Sequence, residues 1–526
     1  MKQLFCLLLL PMGLFAQVKF DYQWLMGYPT GSDTVDQFNG VFYDGTQIDF
    51  KLSPPKITRF DIPFELDATA LVCDSSGNLL FYTNGCLIAN KNHEIMANGA
   101  EIYKGGLGYV QECLGLYSDG YPFSYATNQG VLILPWPGQF KKYALFHLHK
   151  PNPTSRVFNE NLKYTLIDME QDGGLGAVTE KNHQVFRDTF CDMLTAVRHA
   201  NGRDWWLVLP KYNAGRYFVF LLSPEGISEP IIQEVGGSIK HSSWGVQAVF
   251  SPSGKKYANM SLEGGLQVYD FDRCSGKMKS VLHCEDLDFN TAFNESDACG
   301  VAFSSSSRFL YVVSGLNLYQ FDMRAVDILS SKVHLAEYDG FGYLNNTDIS
   351  LPTTFYQMML APDGKIYMST ADGSHYLHVI HQPDSLGLAC NFKQRAMDLP
   401  TFHSFGIPNF THFRLYDLPG SHCDTLGING PQPPEDTLPT PPVCGTYLSL
   451  WPNPVSSLAS VELPDCQGGL LSIFDAAGRL IEEQRIEPGE GAHPIVVSEY
   501  VPGIYFVRFW PEKGGEVVVR GLSVVR

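Results

Sequence analysis

The chain has 526 residues and a formal charge of −18, from 37 basic and 55 acidic side chains. No Lys/Arg run is dense enough to track a phosphate backbone, which excludes nucleic acid as the natural partner. Charged residues are only 17% and aromatics 13%, with 49 Gly and 33 Pro, a mix that favours an all-β chain of short strands and many turns over long helices.

At the N-terminus, MKQLFCLLLLPMGLFAQ has one cation (Lys2), an apolar run and a small residue (Ala16) before Gln17. Residues 1–16 therefore read as a secretory signal peptide. Its apolar core is too short to span a bilayer, and no later window approaches 18 uninterrupted apolar residues, so no transmembrane segment is expected. Cys6 sits inside the apolar run rather than at the cleavage point, which argues against an acylated lipoprotein. In an exported chain the other cysteines can form disulfides. Cys73 with Cys86 and Cys274 with Cys284 flank hairpin-like stretches and are the expected local pairs. No CxxC occurs, so a zinc ribbon has no support.

From Val18 to Thr425 one hairpin recurs: a Gly/Ser turn, often a basic residue, then an apolar-aromatic strand. Its markers are Gly77, Gly138, Gly202, Gly254, Ser306 and Gly364, separated by 61, 64, 52, 52 and 58 residues. Further strands follow from Tyr217, Leu266, Leu316 and Tyr376. Such spacing fits blades of four strands, and six visible units plus one assembled from the two ends predict a seven-bladed β-propeller over residues 17–425. A string of separate sandwiches is the alternative, disfavoured because no linker interrupts the segment.

Composition changes at GINGPQPPEDTLPTPPVCG, Gly427 to Gly445. Residues 426–446 read as an extended Pro-rich linker. Residues 447–526 alternate in short apolar strands and predict a small β-sandwich. Asp475 and Gly478 suit a hairpin turn, and Gly503 before Tyr505 a tight turn into a strand.

This last segment resembles the type A C-terminal sorting domain of type IX secretion cargo. The resemblance rests on Trp451-Pro452-Asn453-Pro454, Phe474-Asp475-Ala476-Ala477-Gly478-Arg479 and Pro502-Gly503-Ile504-Tyr505-Phe506-Val507. It implies export through the periplasm to the outer cell surface or the medium by the type IX machinery, removal of the domain, and either release or attachment to surface lipopolysaccharide. The large domain is similar to the propeller-like region of cargo associated with gliding motility, through segments such as Gly77 to Gly85, Arg198 to Trp206, Ala361 to Tyr367 and Ile407-Pro408-Asn409-Phe410. That resemblance implies address and architecture, and no catalytic residue.

Local chemistry is sparse. There is no GxSxG, and the one His-Glu pair, His93-Glu94, lacks the second zinc histidine of HExxH. His147 and His149 share a strand face and are candidate metal ligands without an identifiable third. Asp286-x-Asp288-x-Asn290 resembles the start of a calcium loop, but Thr291 stands where an EF-hand needs Gly, so calcium is retained only as a non-EF option and no other cofactor is assigned. Trp205 and Trp206, with Arg203, are candidates for a stacking or partner surface, set against the more ordinary role of filling the space between blades. The expectation is a noncatalytic surface binding or adhesion protein with a protein or glycan ligand. The alternative is a secreted hydrolase or lyase acting on polysaccharide, since propellers scatter functional residues over loops.

Overall fold

Each marked turn of the repeat joins the first two strands of a sheet. The computed structural model describes residues 18–28, 41–105, 108–114, 124, 127, 129–150, 158–239, 245–285, 287, 299–344, 350–428, 448–463, 468–486, 492–511 and 517–525. The signal peptide, most of the linker, and Asp286, Asp288 and Asn290 lie outside them. Two compact units divide between Pro433 and Pro434.

Among the described residues the first unit carries seven antiparallel blades in chain order and, between blades 6 and 7, a two-stranded hairpin of Gly342–Leu344 and Ser350–Pro352. Blade 1 is Gln23–Gly27, Gly45–Asp49 and Lys56–Phe60, and blade 2 is Ala70–Cys73, Leu79–Thr83 and Ile88–Asn90. Blade 3 runs from Val131–Pro135 through Lys142–His149 and Asn159–Asp168 to Ala177–Phe190, and blade 4 from Thr195–Arg198 through Trp205–Pro210 and Arg216–Ser223 to Ile231–Glu234. Blade 5 comprises Val246–Phe250, Lys256–Ser261, Gly265–Phe271 and Met278–Cys284; blade 6 comprises Cys299–Phe303, Phe309–Ser314, Asn317–Asp322 and Val333–Glu337. Blade 7 is Phe355–Leu360, Ile366–Thr370, Ser374–Ile380 and Phe392–His403. Gly77, Gly138, Gly202, Gly254 and Gly364 take φ between 69° and 83°, the left-handed turn conformation for which glycine carries no Cβ penalty. At the remaining turn, in blade 6, the positive φ falls on Ser307, one residue past the expected Ser306.

First strands of successive blades pack together, Gln23–Gly27 on Ala70–Cys73, Val246–Phe250 on Cys299–Phe303, and Cys299–Phe303 on Phe355–Leu360. The ring closes where Thr401 of blade 7 pairs in parallel with Phe42 beside blade 1 and Trp24 meets Tyr367 edge-on at 5.6 Å. Because both faces of such a sheet are covered by neighbours, Trp205–Pro210 and Phe309–Ser314 are buried at every position. This is the β-propeller expected from the repeat, except that no blade is assembled from both chain ends: blade 1 comes from the N-terminal segment alone, and blades 1 and 2 have three strands each among the described residues.

After blade 7, the chain returns as an irregular strap, residues 404–418, that runs past the inner strands. The Asn409 N–H donates to Thr69 O at 2.8 Å, and its side-chain amide donates to Val131 O at 2.8 Å and Leu194 O at 3.0 Å. Three glutamines extend this network. Gln129 bridges Asn409 to the backbone of Ala248, Gln247 bonds both the N–H and the carbonyl of Met358 as well as the Val301 N–H, and Gln357 donates to Val246 O. All four amides are buried. Amides suit this duty because each offers a donor and an acceptor to strand backbones that the ring brings face to face.

The expected disulfide pairs are corrected. Cys86 bonds Cys113, and Cys274 bonds Cys423, just past the end of the strap. In the blade 5 ladder Phe271 opposes Met278 and Leu266 opposes Cys284, so Cys274 sits in the turn while Cys284 lies at the far end of the hairpin. Cys73 is likewise opposite Leu79 beside its turn, whereas Cys86 follows the other end. Flanking a hairpin places two cysteines apart, beyond disulfide reach.

The second unit is a sandwich. One sheet orders Ser449–Trp451, Leu458–Glu462 and Ala492–Val496; the other orders Leu480–Ile486, Gly469–Asp475, Gly503–Pro511 and Val518–Val524. Its core holds Val461, Ile473, Val507, Phe509 and Leu522.

Candidate functional site

Where the chain leaves blade 1 for blade 2, Phe64-Glu65-Leu66-Asp67 alternates, so the two carboxyl groups fall on one side of an extended segment. Glu65 is buried and Asp67 partly exposed, and the carboxyls hydrogen-bond to each other. The Ser124 N–H donates to Glu65 Oε2 at 3.1 Å, and the Phe405 N–H of the strap donates to Asp67 Oδ1 at 3.3 Å. Gly406 permits this approach, since a Cβ there would lie 1.9 Å from Asp67 O. Burial, then the charge of Asp67, raises the Glu65 carboxyl well above the usual range; burial pushes Asp67 up to about 6. Two carboxyls in contact share a proton. Beside them, burial and the same two charges push the Tyr28 hydroxyl up to about 12. Tyr28 begins an aromatic group in which Tyr28, Tyr43 and Phe402 have ring centroids 5.2 to 6.5 Å apart, both tyrosines being partly exposed. Chemically, this is a proton-bearing acid pair edged by rings. Its one sequence signal is the Glu-x-Asp alternation, which sequence reasoning missed because its partners come from residues 28, 124 and 405.

The sequence candidates lie elsewhere. Trp205 is fully buried under the Arg198 guanidinium, 3.8 Å from its ring, and Trp206 is 4% exposed with its Nε1–H donating to Arg273 O at 2.7 Å. Arg203 grips both oxygens of Asp204 at 2.7 and 3.1 Å. Neither indole is presented to solvent for stacking.

His147 and His149 do share a strand face, His147 meeting the Tyr103 ring edge-on at 4.5 Å and His149 stacking on it at 6.1 Å. His147 Nε2 lies 3.2 Å from Thr165 Oγ1, and His149 Nε2 donates to Gly105 O at 3.2 Å. Burial, then Lys163, lowers the His147 imidazole to about 3, which keeps it neutral. A grouping of three metal-ligating side chains among the described residues is Cys274, His422 and Cys423, whose sulfurs are joined in the disulfide.

In the sandwich, Asn453 of the Pro452-Asn453-Pro454 motif clasps the last strand, its amide donating to Gly521 O at 2.8 Å and its oxygen accepting the Ser523 N–H at 2.8 Å. Asp475 Oδ1 accepts the N–H of Ala477 and of Arg479, both at 2.9 Å, around a turn in which Gly478 has φ 77°. Tyr505, two residues after Gly503, is buried with its hydroxyl donating to Val501 O at 2.9 Å.

These features define a propeller protein carrying a C-terminal sorting sandwich. Residues 449–520 match the secretion system C-terminal sorting domain; the chain carries a type IX sorting signal and is exported through the periplasm to the cell surface or the medium. No curated protein matches the chain in sequence. Among solved structures it is similar to a candidate 6-phosphogluconolactonase of Bacteroides uniformis, at 10% identity and TM-score 0.42 over 74% of this chain and 98% of that one. It is also similar to the periplasmic gluconolactonase of Pseudomonas aeruginosa, at 13% identity and TM-score 0.36 over 74% and 98%. At these levels neither carries an activity to this chain. No helix among the described residues is long and apolar enough to cross a membrane.

Proposed function

We propose that the propeller is a noncatalytic surface binding module, delivered by the type IX machinery and cut from its sorting domain within Gly427 to Gly445, then released or attached to lipopolysaccharide. The observation that carries the binding reading is the cluster of Tyr28, Tyr43 and Phe402 against the Glu65–Asp67 pair. Partly exposed rings beside hydrogen-bonding oxygens are the chemistry that holds a sugar ring, one face by stacking and its hydroxyls by acceptors. The pair itself is held by the scaffold. Asp67 accepts from Phe405 and Ser404, which ties it to the strap, and Glu65 accepts from Ser124, which lies ahead of blade 3.

The shared proton favours the second reading, a hydrolase or lyase acting on polysaccharide, because a carboxyl that keeps its proton near neutral pH can act as a general acid. One experiment separates the two. Purified protein is screened against polysaccharides and the recovered glycan sized. Retention of uncut polymer, weakened at least tenfold in Tyr43→Ala, is the expected result. Chain shortening that vanishes in Glu65→Gln would establish the enzyme instead.

A further inference from the structure

The four-stranded sheet of the sorting domain has two very different faces. Along Gly503–Pro511, Tyr505, Val507 and Phe509 point into the sandwich, while Ile504, Phe506 and Trp510 are 58, 42 and 56% exposed. The ladder sets Phe474 opposite Phe506, Ser472 opposite Arg508 and Leu470 opposite Trp510, with Val519 on the other side of Arg508. An aromatic and aliphatic stripe therefore crosses the outer face with one cation at its middle. The Arg508 guanidinium lies 4.7 Å from the Phe474 centroid and 5.8 Å from that of Trp510; its Nε is buried without a hydrogen-bond partner among the described residues, and the residue is partly exposed. A depression of about 320 Å³ opens beside it, lined by Phe474, Asp475, Gly478, Phe506, Arg508 and Val519, the Asp475 carboxylate being already paired with Arg479 at 2.8 Å.

An isolated sandwich gains nothing by exposing these rings to water, and aromatic side chains around an Arg are the composition of an interface centre. We infer that this outer face is read by a protein receptor of the export machinery, which presents a carboxylate to Arg508 between apolar side chains. The inference rests on the sorting role of the domain. Charge complementarity selects the occupant. Arg508 is partly exposed and has no carboxylate partner among the described residues, so an incoming carboxylate can pair with its terminal guanidinium nitrogens. A second copy packed twofold about Arg508 would set the cation against itself. An anionic lipid surface calls for clustered cations, whereas Glu483 shares this face, accepting the Ser472 hydroxyl at 3.0 Å.

The test uses the full-length chain in its secreting host, with Arg508→Glu and a Phe506→Ser/Trp510→Ser double variant. Surface and released protein should fall at least tenfold with periplasmic accumulation, while the melting of both units is unchanged. Leu458→Ser, on the other sheet and 52% exposed, should be exported normally. Wild-type export of both face variants, alongside loss of export on deleting residues 448–526, would overturn the receptor face and leave the sorting role intact. Normal export of that deletion would remove the sorting role itself. Variants that change only sedimentation or vesicle binding of the purified chain, with export intact, would assign the face to a second copy or to lipid and also overturn the inference.

Discussion

The propeller and the sandwich are both antiparallel β, yet they treat apolar side chains in opposite ways. Phe309–Ser314 of blade 6 is buried at all six positions, whereas Gly503–Pro511 of the sandwich alternates. A blade is covered on both faces by its neighbours, so a continuous apolar run is what its position demands. In the sorting sheet one face is open, and the rings it carries there do no work for the fold. The same residue types thus mean core in one region and contact surface in the other.

The largest effect should come from the propeller axis. Asn409→Ala removes its hydrogen bonds to Val131 O, Leu194 O and Gln129 from a site closed to water. At roughly 1 to 1.5 kcal/mol for each buried bond, the expected loss is about 3–5 kcal/mol. Urea unfolding followed by tryptophan fluorescence should show the propeller transition shifted to lower urea and the sandwich unaffected. An unshifted transition would mean that the strap is not part of the ring.

Next is the clasp just past the strap's end. Cys274→Ser with Cys423→Ser should destabilise the propeller by about 2–4 kcal/mol, the usual worth of a disulfide closing a long loop. Peptide mapping under nonreducing conditions should recover Cys86–Cys113 and Cys274–Cys423 links. Recovery of Cys73–Cys86 or Cys274–Cys284 would contradict the fold in these regions.

These cysteines mark the limit of what the sequence made legible. The blades were visible because each repeats a local pattern, a positive-φ turn followed by an aromatic strand, and local patterns survive in one dimension. Cys423 reaches Cys274 across a sequence separation of 149, and no local signal encodes that. Asn409 stood inside a motif, Ile407 to Phe410, whose purpose as an axial bracket depends on backbones from blades 2, 3 and 4. The acid pair was hidden for the same reason. Trp205 and Trp206 looked like surface candidates because strand alternation suggests one exposed face, but the second strand of a blade has none. In the sandwich, the turn role of Asp475 and Gly478 was readable because it is local, whereas Asn453 clasps Gly521 and Ser523 of the last strand, which no local pattern encodes.

A smaller effect is pH dependence at the acid pair. Asp67 is raised on folding to about 6 from an ordinary value of 3.8. The native state therefore holds its proton more tightly, and this group's contribution to stability falls as pH rises from about 4 to 6. The buried His147, lowered to about 3 from 6.5, works the other way, losing stability as pH falls below 6.5. The informative quantity is the difference between variants. Asp67→Asn should gain on the order of 1–2 kcal/mol relative to wild type between pH 4 and pH 7. An equal pH profile for the two proteins would show that Asp67 titrates normally.

The division of labour between the two regions is tested most directly by fractionating cells that produce the chain without residues 448–526. The truncated protein should accumulate in the periplasm, with a propeller that melts as it does in the full chain. Surface or released protein at the wild-type level would contradict the assignment of export to the sandwich.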